Sequence, residues 1–369
     1  MPKAVENIRA LNFDLREIAE MAAAIPNCIR ADLGRINYPV DHRFQKTMQR
    51  QIKRETFDYA PTYGIPELIE TLHAFDRPQL KNYHTPATLI TSGGQAALYA
   101  TFKTWLNPGD AILTDVAAYP PYGRIARLLD ATLEQRNLRK IQSSDLPPKI
   151  KILLINHPNN PTGQIYPPST LQHWATMARQ NDWLVVEDAV YDRMYYDDTP
   201  PESMASFCPE RTLIIQSASK NLALPGIRIG WIHGEESHIR QVAKVHRNMN
   251  SCPNTFFQNT LAIYLPQAEE YIRTLRREMK RRRDALHDVL VRQGWPVTPP
   301  EGAIYLWADI PGKVPSASFV QSMIREAGIS AMPGSLFGDF EHKVRFCFGA
   351  LTLKDIHLFE ERLKSFVYV

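Results

Sequence analysis

The chain has 369 residues, 44% hydrophobic and 22% charged. That length favours two domains, or one large α/β domain with an appendage, and the composition excludes wholesale disorder and fibrous structure. The 43 Lys and Arg against 39 Asp and Glu leave a formal charge of +4, too weak and dispersed to imply nucleic-acid or membrane binding, so the expected partner is a small molecule.

Four cysteines, Cys28, Cys208, Cys252 and Cys347, form no C-x-x-C pair, which fits a reduced compartment better than a disulfide framework or a zinc site. No apolar run approaches the ~20 residues of a membrane span, and the N-terminal stretch lacks the apolar core of an export signal. A cytoplasmic chain without a metal site is the expectation.

Between about residues 86 and 235, short β-branched runs alternate with helix-like stretches. The runs at 88–91, 111–115, 151–156, 183–187, 212–216 and 228–233 are predicted strands separated by Gly, Pro and Asn. This alternation predicts a large α/β domain whose mostly parallel sheet is covered by helices. Residues 268–292 lack Gly and Pro and are rich in Glu, Arg and Leu, so they predict a long helix leading into a smaller α+β domain. Within it Arg276, Arg277, Lys280, Arg281, Arg282 and Arg283 make the most basic run of the chain. Without interleaved aromatics, such a run on a helix is expected to be a solvated face.

In an open α/β sheet, ligands collect at the carboxyl ends of strands. Gly93-Gly94-Gln95 follows the first run and opens a helix-like segment; it reads as a turn, or as free N–H groups suited to a phosphate. The segment 156–163, Asn-His-Pro-Asn-Asn-Pro-Thr-Gly, follows the third run and by itself reads as a tight turn. Asp188 ends an apolar run, where a carboxylate is costly unless paired, and Tyr191 lies three residues on. Ser217-Ala-Ser219-Lys220 puts a lysine and two hydroxyls at a further strand end, with Arg228 beyond Leu224-Pro-Gly226. A lysine so placed can form a Schiff base.

With these pieces in order, the sequence resembles the class I/II aminotransferases, fold-type I enzymes that use pyridoxal 5'-phosphate. The resemblance rests on Tyr59-Ala-Pro-Thr-Tyr-Gly64, Ser92-Gly-Gly94-Gln95-Ala96, Asn159-Asn160-Pro-Thr-Gly163, Asp188-x-x-Tyr191, Ser217-x-Ser219-Lys220, Leu224-Pro-Gly-Ile-Arg228 and Val344-Arg345, and covers most of the chain. It implies a large cofactor domain near 45–262 and a small domain built from 1–44 with 263–369, the active site lying between them.

By the same resemblance, Lys220 would carry the cofactor as an aldimine and move the substrate Cα proton, and Asp188 would keep the pyridine nitrogen protonated. Asn160 and Tyr191 would hydrogen-bond the ring oxygen. Tyr119, which also reads as an ordinary core aromatic, would stack on the ring. Gly94, Gln95, Ser217, Ser219 and Arg228 would hold the phosphate. Tyr59 would reach it from the neighbouring subunit, which implies a homodimer, and Arg345 would clamp the substrate carboxylate.

Relatives commonly read Leu-Gly-x-Gly-x-Pro near the N-terminus, whereas this chain reads Leu33-Gly-Arg-Ile36-Asn37-Tyr38. A branched side chain thus replaces a glycine, which marks Ile36 and Asn37 as substrate-side candidates. The stretch Gly34-x-x-Asn37-Tyr38 is similar to capreomycidine synthase, so the alternative to transamination is cyclisation of a hydroxylated arginine by γ-elimination and guanidine ring closure. Ser217-x-x-Lys220 also fits the Ser-x-x-Lys signature of β-lactamases, but neither Ser-Asp-Asn nor Lys-Thr-Gly follows it.

Overall fold

A computed structural model describes residues 8, 14–53, 58–141, 146–312 and 314–366. Residues 1–7 and 9–13 of the expected N-terminal arm lie outside the described residues. The helix Asp14–Ala24 leads to the short strand β1 (Ile29–Arg30). A seven-stranded sheet follows, built from β2 (Pro86–Thr91), β3 (Ala111–Asp115), β4 (Thr132–Arg136), β5 (Ile150–Asn156), β6 (Leu184–Asp188), β7 (Thr212–Ser217) and β8 (Gly230–Glu235). Its order is β2-β8-β7-β6-β5-β3-β4. Pairing from β7 to β4 is parallel, and β8 runs antiparallel to both of its neighbours.

All six predicted strands are present, with boundaries moved by at most two residues. The strand the sequence did not announce is β4, which reads Thr-Leu-Glu-Gln-Arg. It pairs only with β3 at the sheet edge, where charged residues discourage further pairing and erase the apolar signal of a buried strand.

The central strands are buried on both faces, which explains their nearly continuous apolar runs. Alternate residues divide between the faces. Ile152 and Leu154 of β5 join a core with Ala97, Phe102 and Val242 from the helices Gly94–Trp105 and Glu236–Asn250, whereas Leu153 and Ile155 join Leu171 and Trp174 of the helix Pro168–Gln180. This sandwiching fixes the sheet's carboxyl edge, where β5, β6 and β7 deliver Asn156, Asp188 and Ser217 side by side.

Beyond the sheet, the helix Glu269–Arg292 matches the predicted one within a residue. It is followed by β9 (Tyr305–Asp309), β10 (Ile329–Ser330), β11 (Met332–Pro333) and β12 (Lys343–Cys347). Strands β11, β12 and β9 form an antiparallel sheet, and β10 pairs in parallel with β1, tying the N-terminal segment to the C-terminal part. Another core gathers Ile29, Leu275, Met279, Leu306 and Phe346 from these elements, with Phe44 of the helix His42–Gln51. No described helix is long and apolar enough to cross a membrane.

The basic run keeps the expected solvated face at Arg277, Lys280 and Arg281 and departs from it at Arg282. Arg281 is exposed, but Arg282 is buried and bonds Glu278 and the carbonyls of Asn37 and Gly349. Lys280 donates to the Tyr196 carbonyl, and Arg283 donates to that of Pro300. The buried Arg282 is compensated by a carboxylate and by carbonyl acceptors, the condition under which a buried charge is tolerated.

Candidate active site

A cavity of about 370 Å³ opens at the carboxyl edge of the large sheet. Its walls bring together residues remote in the sequence, from Ala19, Asp32 and Gly34 through Asp188 and Lys220 to Tyr305, Met332 and Arg345.

One end of the cavity is the start of the helix Gly94–Trp105. Gly93 precedes it with φ 89°, a left-handed conformation, and no side chain caps this end. The backbone there is crowded. A Cβ on Gly93 would fall 2.5 Å from Arg228 Nη2, and one on Gly230 would fall 2.8 Å from the Gly93 carbonyl carbon and 2.9 Å from Gly94 N. Arg228 is itself left-handed at φ 56°, ψ 47°, a conformation costly for a residue with a side chain and often kept at functional sites. Its exposed guanidinium joins Ser217, Ser219, Gly94 and Gln95 at this end. Ser217 caps the short helix Ala218–Asn221 by accepting from Ser219 N–H at 3.1 Å, and the two hydroxyl oxygens are 2.9 Å apart. Uncapped N–H groups, two hydroxyls and a guanidinium constitute an anion site that fits a phosphate.

Across the cavity floor lies Asp188. Burial pushes its carboxyl up to about 6, against the Tyr122 hydroxyl that donates to Oδ2 at 2.5 Å and the Val190 N–H at 3.4 Å from Oδ1. Asn156 donates to the Asp188 carbonyl at 2.9 Å and accepts from Asn160 N–H at 2.6 Å, fixing the turn that carries Asn160. Tyr119 lies half-buried in the wall, edge-on to Tyr122 with ring centroids 5.4 Å apart.

Lys220 stands between these groups. Burial brings its amine down to about 8. Its Nζ donates to the Gly34 carbonyl and lies 5.9 Å from the Tyr191 ring centroid. The Tyr191 hydroxyl is 2.7 Å from that of Tyr305.

Arg345 is buried at the far wall. It donates to Asn160 Oδ1 at 2.9 Å and to the Asp32 carbonyl at 2.8 Å, over the Tyr305 ring at 4.2 Å from its centroid. Its Nε has no partner among the described residues. Asp32 is held by a two-pronged ion pair from Arg30, both bonds at 2.8 Å, and by the Ser330 hydroxyl. These contacts keep the guanidinium in place with its Nε–H uncommitted, an arrangement suited to a carboxylate.

The structure therefore gathers Gly94, Gln95, Tyr119, Asn160, Asp188, Tyr191, Ser217, Ser219, Lys220, Arg228 and Arg345 into one cavity. Three candidates lie elsewhere. Ile36 is buried in the core with Leu306 and Phe346, and Asn37 is exposed with its backbone bonded to Gly349 and Arg282. Tyr59 is 88% exposed, beside Cys252 and Pro253 on the surface. Tyr122, Asn156 and Tyr305 were not singled out from the sequence. Tyr122 sits three residues after Tyr119, a spacing that could have marked it as its neighbour on a helical turn. An aromatic within a strand, as Tyr305 is, carries no such signal.

Comparison with known proteins agrees with this geometry. The model of the family "Aminotransferase class I and II" matches residues 31–363. The chain is similar to an aspartate/prephenate aminotransferase of Thermus thermophilus, 28% identical over 323 residues that cover 84% of this chain and 83% of that protein. It is also similar to a probable N-acetyl-LL-diaminopimelate aminotransferase of Bacillus subtilis, 26% identical over 365 residues covering 96% and 92%. Among solved structures, an aspartate aminotransferase from Thermus thermophilus with maleate superposes with a TM-score of 0.89 at 25% identity, covering 98% of this chain and 99% of that one. Motifs, fold and relatives converge, and the chain belongs to the class I and II aminotransferases, a family of pyridoxal-phosphate-dependent enzymes.

Proposed function

We propose that the cavity holds pyridoxal 5'-phosphate and that the enzyme exchanges the amino group of an amino acid for the oxo group of a 2-oxo acid. The observation that carries this reading is one cavity joining an anion site, a buried carboxylate and a lysine whose amine burial has brought down to about 8. When bound, the cofactor supplies an electron sink for the pair left by loss of the substrate Cα proton.

Lys220 would bind the cofactor and then take and return that proton through Nζ, since an amine near 8 is partly neutral at physiological pH. Asp188 would hold the ring nitrogen protonated. Its Oδ2 is engaged by Tyr122 and its Oδ1 by the longer Val190 N–H contact alone, so Oδ1 keeps a lone pair to face a cation, and a cation there would draw the carboxyl back down. Asn160, whose Oδ1 accepts from Arg345, keeps its Nδ2 to donate, with Tyr191, to the ring oxygen. Tyr119 would cover a ring face, and Gly94, Gln95, Ser217, Ser219 and Arg228 would hold the phosphate. Arg345 would orient the substrate by its α-carboxylate, the group that the amino-acid substrates named for the similar proteins have in common.

In this reading residues 45–262 carry the cofactor, and 1–44 with 263–369 supply the substrate wall through Ala19, Gly34, Tyr305 and Arg345. The exposed Tyr59 would serve a second subunit's phosphate in a cytoplasmic homodimer. Transamination is favoured over cyclisation by the relatives and by position, because among Gly34, Asn37 and Tyr38, which carry the cyclase likeness, only Gly34 lines the cavity.

The test is product analysis by mass spectrometry, with purified enzyme offered a panel of amino acids and hydroxyarginines, with and without a 2-oxo acid acceptor. A 2-oxo acid formed only when the acceptor is present is the expected result. A hydroxyarginine that loses water, keeps its α-nitrogen and needs no acceptor would replace this reading with the cyclase.

A further inference from the structure

Tyr305 begins β9, directly opposite Cys347 of β12, while Arg345 lies opposite Trp307. Residues two apart on a strand share a face, so Tyr305 and Arg345 are diagonal neighbours on one side of the small sheet. The guanidinium carbon accordingly lies 4.2 Å from the Tyr305 ring centroid. The other end of the phenol reaches the opposite wall, where its hydroxyl lies 2.7 Å from that of Tyr191. It also abuts the backbone beneath Lys220: a Cβ on Gly34 would stand 2.6 Å from the Tyr305 hydroxyl, and the Gly34 carbonyl accepts from Lys220. One buried side chain thus touches the carboxylate-facing arginine, the tyrosine of the cofactor wall and the loop that receives the lysine.

The proton count of the tyrosine pair gives this contact a direction. Each hydroxyl has one proton, and at 2.7 Å only one of the two can donate to the other. If Tyr191 donates to the cofactor's ring oxygen, as the reading above has it, Tyr305 must donate to Tyr191. A hydroxyl that accepts a hydrogen bond becomes a stronger donor.

We propose that Tyr305 is a positioning residue for the aminotransferase reaction. It would polarise Tyr191 toward the cofactor's ring oxygen through its hydroxyl and seat Arg345 through its ring. This rests on the cofactor reading above and goes beyond it by giving one side chain two separable effects. A stronger donor to the ring oxygen stabilises negative charge there and loosens the proton shared with the lysine-linked nitrogen, so the bound cofactor titrates at lower pH.

The experiment is a pH titration of cofactor absorbance in the holoenzyme, with steady-state kinetics alongside. Tyr305→Phe keeps the ring and drops the hydroxyl. The midpoint should rise by about half a unit to one unit, with KM for the 2-oxo acid nearly unchanged. Tyr305→Leu removes the ring as well and should also raise that KM by about tenfold. In a Tyr191→Phe background, Tyr305→Phe should move the midpoint no further. An unchanged midpoint in Tyr305→Phe, or a full shift that persists without the Tyr191 hydroxyl, would overturn the proposal. A parent enzyme showing no pH-dependent cofactor absorbance would instead overturn the cofactor reading on which it rests.

Discussion

The Tyr122 hydroxyl donates to Asp188 Oδ2 at 2.5 Å, joining the helix after β3 to the end of β6 across the cavity floor. Burial alone would favour the neutral carboxyl, and this bond works against it. Tyr122→Phe should therefore weaken the carboxylate's hold on a ring cation. A hydrogen bond to a charged group contributes about 1.5–3 kcal/mol, so kcat should fall by roughly ten- to a hundredfold with the fold intact. Asp188→Ala should retain cofactor and lose most of the rate. Single-turnover kinetics on both variants check this, and an Asp188→Ala enzyme of undiminished rate contradicts the assignment.

The end of the cavity proposed to hold the phosphate depends on close backbone packing. In Gly230→Ala, the new Cβ meets Gly93 C, Gln216 O and Gly94 N, all within 2.9 Å, and backbone cannot swing aside as a side chain can. Relieving such an overlap costs about 1–3 kcal/mol, and the helix start carrying Gly94 and Gln95 must move. Cofactor affinity measured by fluorescence titration should drop by about tenfold or more. Unchanged affinity would mean that this end of the cavity does not hold the phosphate.

Arg345 tests the substrate side separately. Arg345→Lys keeps a positive charge but loses the planar fork that bonds Asn160 and Asp32, and lysine is not its equivalent at such a site. KM for both amino acid and 2-oxo acid should rise by about ten- to a hundredfold, while cofactor absorbance stays unchanged. A loss of cofactor with KM unaffected would reverse the roles given to the two walls.

Glu187 gives a prediction about stability away from the cavity. It is buried, accepting from the Ser203 hydroxyl at 2.6 Å and Met204 N–H at 2.9 Å, and burial still pushes its carboxyl up to about 7. A carboxyl raised in the folded state contributes stability that is complete below the unfolded value of 4.5 and lost as pH rises through 7. The difference corresponds to a loss on the order of 3 kcal/mol across that window. Glu187→Gln keeps the shape and does not ionise. Urea unfolding should show the parent losing stability between those pH values relative to the variant, and parallel profiles would contradict it.

The residues proposed to hold the cofactor were legible in the sequence because most sit at or just beyond the ends of strands, where an apolar run gives way to Gly, Ser, Asn or Asp. The proposed substrate side was legible at Arg345 and not beyond it. Ile36 stands where relatives carry a glycine and was expected near the substrate, but its side chain packs inward and Gly34 lines the cavity instead. Tyr305 and Arg345 owe their meeting to the register of β9 and β12, which no local pattern encodes. The same limit hid β4, whose polar sequence reflects its edge position, and Arg282, whose burial is compensated by carbonyls distant in the chain.

The most direct measurement is reductive trapping of the holoenzyme with borohydride, followed by peptide mapping. The account predicts one pyridoxyl-phosphate adduct per chain, on the peptide containing Lys220, and none in Lys220→Ala. An adduct on another lysine, or its persistence in Lys220→Ala, would contradict the central claim.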